Sequence, residues 1–261
     1  MALPEGALAA AEEAADLAGA AIRPLFRSAL LVEAKGDASP VTEADRAAEQ
    51  AMRGLLRKRF PEHGILGEEF GAERDGAEWL WVLDPIDGTR AFVTGRPLFG
   101  TLIALLHRGR PVLGLIDQPG IGERWTGVEG EPTRFRSPLG GEPRCRPCAA
   151  LGDAELSCTS PDIFNAQTRP GFDRLRAAAR RVTWGGDCYA YGLLALGLVD
   201  AVAETGMKPW DWAALVPVVE GAGGRVTGWG GEPLTLDGAD GRVLALGDPA
   251  LLREAVALLA G

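Results

Sequence analysis

The run Glu78-Trp79-Leu80-Trp81-Val82-Leu83 is too short for a typical helix, rich in strand-favouring residues, and leads without a break into Asp84-Pro85-Ile86-Asp87-Gly88-Thr89. A buried strand that ends in two aspartates three apart constrains the chain strongly, because α/β proteins present their chemistry at strand ends. Pro85 holds Asp84 in extended backbone and fixes its own φ, so the turn can aim both carboxylates at one point. Gly88 lets backbone N–H groups come close to an anion. Oxygen clusters of this type suit hard cations such as Mg²⁺. An isolated Asp-x-x-Asp-Gly is an ordinary acidic turn, but two further acidic elements change the reading. Gly67-Glu68-Glu69 precedes the strand. Trp210-Asp211-Trp212-Ala213-Ala214 places another acid at the start of a predicted helix, where alone it would serve as an N-cap. Three acidic elements, each flanked by Gly, Pro or Trp, have the pattern of a site assembled from distant segments.

Around these elements helical and strand patterns alternate, which predicts layered helices and sheets, an α/β (α+β) fold, rather than a bundle or a sandwich. Met1 to Leu31 reads as an amphipathic helix, since Glu5, Glu12, Glu13 and Asp16 interrupt it and no signal-peptide pattern is present. Lys35 to Pro40 is a polar turn, and Thr42-Glu43-Ala44-Asp45 opens a second helix in capping-box style, running to about Phe60. Leu98 to Leu106 and Arg110 to Asp117 form a hairpin joined at Arg108-Gly109. Short strands follow at Glu123 to Thr126 and Arg134 to Arg136. The Gly-, Pro-, Arg- and Glu-rich stretch Gly120 to Pro147 holds the expected boundary between an N-terminal α+β part, residues 1–140, and a C-terminal α/β part, residues 141–261. Beyond it helices are predicted at Asp173 to Arg181, Tyr189 to Gly197 and Trp210 to Ala222. Strands are predicted at Val182 to Trp184, Ala201 to Glu204, Arg225 to Thr227 and Val243 to Leu246. Asp248-Pro249 caps a last helix.

Charge and cysteine usage narrow the function. With 27 Lys and Arg against 36 Asp and Glu, the formal charge of −9 has the wrong sign for nucleic acid or an anionic membrane. No apolar run approaches the roughly 18 to 20 residues that span a bilayer. Cys145, Cys148, Cys158 and Cys188 read as reduced thiols of a cytoplasmic protein. Cys145-Arg146-Pro147-Cys148 offers half a zinc site and lacks a second ligand pair. The two histidines, His63 and His107, are scattered, which counts against histidine-based catalysis. Carboxylates are left to do the chemistry.

The acidic elements, with Glu220-Gly221-Ala222-Gly223-Gly224 behind the last, resemble the inositol monophosphatase superfamily in order and spacing from about Lys35 to Arg225. The resemblance implies a layered α-β-α-β-α sugar-phosphatase-type fold with two mixed sheets. It also implies a usually dimeric phosphomonoesterase that needs Mg²⁺ and is inhibited by Li⁺. Carried over residue by residue, it has Glu68, Asp84, Asp87, the carbonyl of Ile86 and the carboxylate of Asp211 hold two or three Mg²⁺ ions around the phosphate of a small ester. Water oriented by Glu68 and the Thr89 hydroxyl is then the nucleophile, with Asp45 behind them. Gly88 and Thr89 would give backbone N–H groups to the phosphate, and Asp87 and Asp211 would also contact the substrate. Gly185, Gly186, Asp187 and Glu204 would contact the alcohol, with Tyr189 and Tyr191 either shaping that pocket or packing a helix. Lys35 matches a basic loop position near the metals, or is simply exposed.

Three further stretches resemble the histidinol-phosphatase branch: Pro97-Leu98-Phe99-Gly100-Thr101-Leu102-Ile103-Ala104-Leu105, Ile116-Asp117-Gln118-Pro119 with Glu123-Arg124-Trp125, and Gly185-Gly186-Asp187-Cys188-Tyr189-Ala190-Tyr191. That branch implies hydrolysis of histidinol phosphate in histidine biosynthesis. Inositol 1-phosphate or a broad range of small esters is the alternative, and a 3′-nucleotidase of sulfur assimilation is a more distant one. A non-catalytic relative would have lost a ligand or Thr89, and none of Glu68, Asp84, Asp87, Thr89 or Asp211 is missing.

Overall fold

Ala7, Ala10, Ala11, Ala14, Ala15 and Ala18 recur at helical spacing and are buried along α1 (Ala7–Ile22), where their small side chains let the helix lie close on α2 (Glu43–Arg59). The first helix stops at Ile22 instead of Leu31, two residues before Pro24, which cannot supply the next N–H. The computed structural model describes residues 3–28, 32–34 and 40–260. Lys35 and the turn expected after it, up to residue 39, lie outside the described residues. β1 (Val32–Ala34) and β2 (Pro40–Thr42) pair antiparallel and lead into α2. Its cap is reciprocal: the Thr42 hydroxyl accepts from the Ala44 N–H, and Asp45 Oδ2 accepts from both the N–H (2.8 Å) and the hydroxyl (2.6 Å) of Thr42.

β3 (Gly64–Gly67), β4 (Gly71–Glu73), β5 (Trp79–Asp87), the short helix α3 (Thr89–Val93), β6 (Gly100–His107), β7 (Arg110–Gln118), β8 (Glu123–Val128) and β9 (Arg134–Arg136) follow in order. The strands form a seven-stranded mixed sheet, β4-β3-β5-β6-β7-β8-β9. The β6–β7 hairpin turns at Arg108 and Gly109, both at positive φ (48° and 78°), as a tight two-residue turn requires. Parity sorts the sheet's side chains. Trp81, Leu83, Ile103, Leu105, Leu113 and Leu115 are buried with α1 and α2, while Leu80, Val82, Leu102, Ala104 and Ile116 are buried on the opposite face.

The second half adds β10 (Glu155–Cys158), α4 (Arg169–Ala178), β11 (Arg181–Trp184), α5 (Asp187–Ala195), β12 (Ala201–Glu204), α6 (Pro209–Trp212), α7 (Leu215–Gly221), β13 (Arg225–Thr227), β14 (Val243–Leu246) and α8 (Leu252–Ala260). Its strands form a five-stranded mixed sheet, β11-β10-β12-β14-β13. One face of this sheet, with Val202, Val226, Val243 and Ala245, shares a core with α5, α6, α7 and the far face of the first sheet. Its other face, with Leu156, Cys158, Ala201, Ala203, Leu244 and Leu246, is covered by α4 and α8. The layers therefore run α-β-α-β-α, as expected.

Three local expectations are corrected. The strand after Glu78 does not end before Asp84 but runs to Asp87. The helix expected from Trp210 to Ala222 breaks at Ala213–Ala214, because Pro217 has no N–H to return to the Ala213 carbonyl. Asp248 caps a 3₁₀ turn, Pro249–Leu251, accepting from the Ala250 N–H, before α8 begins. The middle layer sits hard on the first sheet: a Cβ on Gly114 would lie 2.0 Å from the Ala214 carbonyl oxygen, and one on Gly127 would lie 2.3 Å from the Pro217 carbonyl. Gly114→Ala is expected to cost about 1–3 kcal/mol, the usual penalty for overpacking, measured by chemical denaturation.

Candidate active site

Residues three apart on a regular strand face opposite ways, so Asp84 and Asp87 should diverge. They do not, because β5 carries an extra residue between them: Asp84 pairs with Leu102 and Asp87 with Gly100, three steps against two. This bulge at Pro85-Ile86 turns both carboxylates to the face that meets the middle layer. The Pro85 carbonyl, displaced from the ladder, accepts from the Thr101 hydroxyl at 2.8 Å.

From the middle layer comes Asp211, in the first turn of α6, its Oδ2 accepting the Lys208 N–H at 2.7 Å. One carboxylate oxygen from each of Asp84, Asp87 and Asp211 lies within 4.8 Å of the others. Glu68, on the turn after β3, presents its charge to Asp84, Asp211 and Asp45 and raises all three. Burial first, and then these neighbouring acids, push Asp84 well above the carboxylate range. Burial, Asp187 and Asp211 do the same to Asp87, and Asp211 is pushed up to about 7.

The donor set fits a hard cation. Asp84 is 2% exposed, and its Oδ1 and that of Asp45 are buried without a hydrogen-bond partner. Asp84 and Asp211 also bring carboxylate oxygens within 4.8 Å of each other, an approach of like charges that a cation between them would relieve. All the donors are oxygens, the preference of Mg²⁺. Cys145 and Cys148 are free thiols and belong to no such group among the described residues.

The Thr89 hydroxyl, at the start of α3, donates to the Ile86 carbonyl at 3.0 Å, and Asp45 bonds to Thr42 instead of Thr89. Gly88 takes φ 82° as the N-cap of α3, and a Cβ there would come within 3.1 Å of the Asp187 carboxylate. Asp87 Oδ2 accepts the Cys188 N–H at 2.6 Å, tying the first sheet to the first turn of α5.

A pocket of about 180 Å³ opens beside the acids, lined by Asp87, Asp187, Glu204 and Asp211 with Thr159, Ile163, Tyr191 and Met207 among its walls. Among the described residues no Lys or Arg lines it. Asp187 is held at positive φ (43°) behind Gly186, the N-cap of α5. Burial raises it to about 6, opposed by the neighbouring Thr159 hydroxyl and by Arg90. Glu204, 6% exposed, is raised to about 7 by burial, opposed by the Thr159 N–H and hydroxyl, which donate to its Oε1 at 2.8 and 2.6 Å.

Gly185, at φ 84°, and Gly186 precede this wall without lining it. Tyr191 lines the pocket, whereas Tyr189 turns away and donates to Glu123. Thr159 escaped the sequence reading; its only signal is a strand end just before Ser160-Pro161. A larger cavity, about 440 Å³, opens between α7 and the strand ends at Arg110 and Val128, but its Arg and Glu side chains do not form a convergent acidic centre.

This layered fold and carboxylate centre define a metal-dependent phosphomonoesterase. The chain belongs to the inositol monophosphatase family, whose model matches residues 4–260. It is similar to the bifunctional phosphatase IMPL2, chloroplastic, of Arabidopsis thaliana, 48% identical over 84% of this chain; the match spans only 63% of that protein's length. A histidinol-phosphatase of Streptomyces coelicolor is 39% identical, with 84% of this chain and 85% of that one covered. The solved structure of an inositol monophosphatase from Zymomonas mobilis superposes with a TM-score of 0.90 at 48% identity, all of both chains being covered. No helix among the described residues is long and apolar enough to cross a membrane.

The raised carboxyls set a pH dependence for the cation-free protein. Glu204 favours its neutral form when folded, so its contribution to stability is full below its ordinary value of 4.5 and is lost as pH rises through about 7. Asp187 and Asp211 act in the same direction. Melting temperature in EDTA should fall between about pH 5 and pH 8, and Mg²⁺ should raise it more at pH 8 than at pH 5.

Proposed function

We propose that the protein hydrolyses histidinol phosphate, releasing histidinol and phosphate, with Mg²⁺ held by Asp84, Asp87, Asp211, Glu68 and the Ile86 carbonyl. The observation that carries the substrate is the pocket wall: Asp187 and Glu204 face a space that no Lys or Arg lines among the described residues, beside the apolar surfaces of Ile163, Met207 and Tyr191. An amine and an imidazole match that combination, the amine pairing with carboxylate and the ring packing on the apolar wall. The similarity to proteins named histidinol-phosphatase supports the same reading.

Bound divalent cations supply the positive charge that stabilises a phosphoryl group in transfer and acidify water. The chain's own groups do the positioning. Glu68 orients the attacking water and accepts its proton. Thr89, its hydroxyl hydrogen committed to Ile86, accepts a hydrogen bond from the same water. The Gly88 and Thr89 amides face the phosphate, and Asp187 and Glu204 fix the leaving alcohol.

Inositol 1-phosphate is the second reading, favoured by the 48% identity to the Zymomonas mobilis inositol monophosphatase, since carboxylates also bind hydroxyls. Steady-state assays on histidinol phosphate, inositol 1-phosphate and adenosine 3′,5′-bisphosphate separate these readings. The highest kcat/KM is expected on histidinol phosphate, and equal or better turnover of either competitor refutes the substrate assignment. Glu204→Gln should raise KM for histidinol phosphate more than for inositol 1-phosphate. Asp87→Asn should lose more activity than the roughly 10–100-fold that a lost supporting contact costs at metal sites; full activity would contradict the ligand set.

A further inference from the structure

A buried ion pair holds the turn that carries Glu68. Glu49 and Arg53 of α2 are 0% and 1% exposed, and Glu49 Oε1 meets Arg53 Nε at 2.7 Å. The carboxylate also accepts two backbone N–H groups, those of Glu69 (Oε2, 2.7 Å) and Phe70 (Oε1, 3.2 Å), the residues that follow Glu68. Arg53 donates onward to the Gly71 carbonyl and, at 2.7 Å, to Glu73 Oε1. Gly67 leaves room for this arrangement, since a Cβ there would lie 2.0 Å from Glu49 Oε1. On its other side Glu68 is tied to β5, its N–H donating to the carbonyl of Leu83, the residue before Asp84.

Asp45, Glu49 and Arg53 are spaced four apart, so one face of α2 presents a buried polar stripe toward the Glu68 turn and the acidic centre. Stability alone does not account for it. A buried ion pair is often no better than well-packed aliphatic side chains, because both charges are desolvated. What the pair supplies is direction: an ionised carboxylate accepting two consecutive amides fixes the backbone immediately after Glu68.

We propose that Glu49, oriented by Arg53, is a positioning residue that sets the Glu68 carboxylate for cation binding. The proposal rests on the reading of Glu68 as a metal ligand.

Direct Mn²⁺ binding to the substrate-free protein, followed by the paramagnetic resonance signal of free Mn²⁺, tests it alongside kinetics and thermal melting. Glu49→Gln keeps the size of the side chain but replaces one acceptor oxygen with an NH₂ group. Its Mn²⁺ Kd is expected to rise at least about tenfold. The Mg²⁺ concentration for half-maximal activity should rise in parallel, while KM for the phosphate ester at saturating Mg²⁺ stays within about twofold. Asp200→Asn is the control: it weakens the pair between buried Asp200, just before β12, and the exposed Arg146, and should lower the melting temperature with Mn²⁺ binding intact.

If Glu49→Gln behaves like this control, Glu49 only stabilises the fold and the proposal fails. Should Glu49→Gln not fold, Arg53→Lys, which keeps a charge beside Glu49 but cannot reach Gly71 and Glu73 together, is expected to weaken Mn²⁺ binding by a smaller factor. Unchanged binding there also overturns the proposal. Glu68→Gln separates the two ideas. If it binds Mn²⁺ like the wild type, the reading of Glu68 is at fault, and if it binds weakly while Glu49→Gln does not, the positioning role is.

Discussion

Repulsion among buried carboxylates is the constraint on which the rest of the structure depends. Asp84, Asp87 and Asp211 converge within 4.8 Å, with Glu68, Asp45, Asp187 and Glu204 close enough to raise one or more of their neighbours. Left to relax, like charges in a poorly solvated space would separate or protonate. Asp84, Asp87, Asp211 and Glu68 are therefore each held by something they cannot easily leave. Two are held by a strand bulge, one by the first turn of a short helix whose following residue pair, Ala213–Ala214, packs on Gly114, and one by a turn pinned between β5 and α2. The fold serves as the counterweight to its own electrostatics.

Much of this was legible in the sequence, and the legible parts share a property: they depend on local backbone chemistry. Asp84-Pro85-Ile86-Asp87-Gly88-Thr89 announces a strand end and a turn because Pro and Gly act on their own neighbours. The cap of α2 is visible for the same reason. The layered architecture follows from alternating periodicities, and the residues of the acidic centre from their resemblance to a family pattern.

The parts that escaped depend on what lies opposite. The extra residue in β5 exists only relative to Leu102 and Gly100 on β6. Thr159 matters because Glu204, 45 residues on, ends at its hydroxyl, and β10, which delivers it, is only four residues long with no alternation to read. Glu49 looked like one of several charged residues on an amphipathic helix, and nothing local distinguishes it from Glu43, which is exposed. The break between α6 and α7 was readable in principle from Pro217, but helical periodicity on both sides masked it. The tyrosines illustrate the limit well: Tyr189 and Tyr191 lie on the same helix, yet only Tyr191 reaches the pocket.

The bulge and helix α6 bring together residues about 120 positions apart in the chain. A cation shared by Asp84, Asp87 and Asp211 would therefore be a cross-link as well as a reagent, closing a loop as long as a disulfide might close. The four cysteines are all free thiols and make no such bridge. Closing a loop of this length removes a substantial part of the unfolded chain's freedom. Unlike a sulfur bridge, such a link would be undone by a chelator or by protons, so the seating of the middle layer on the first sheet would vary with the supply of the ion.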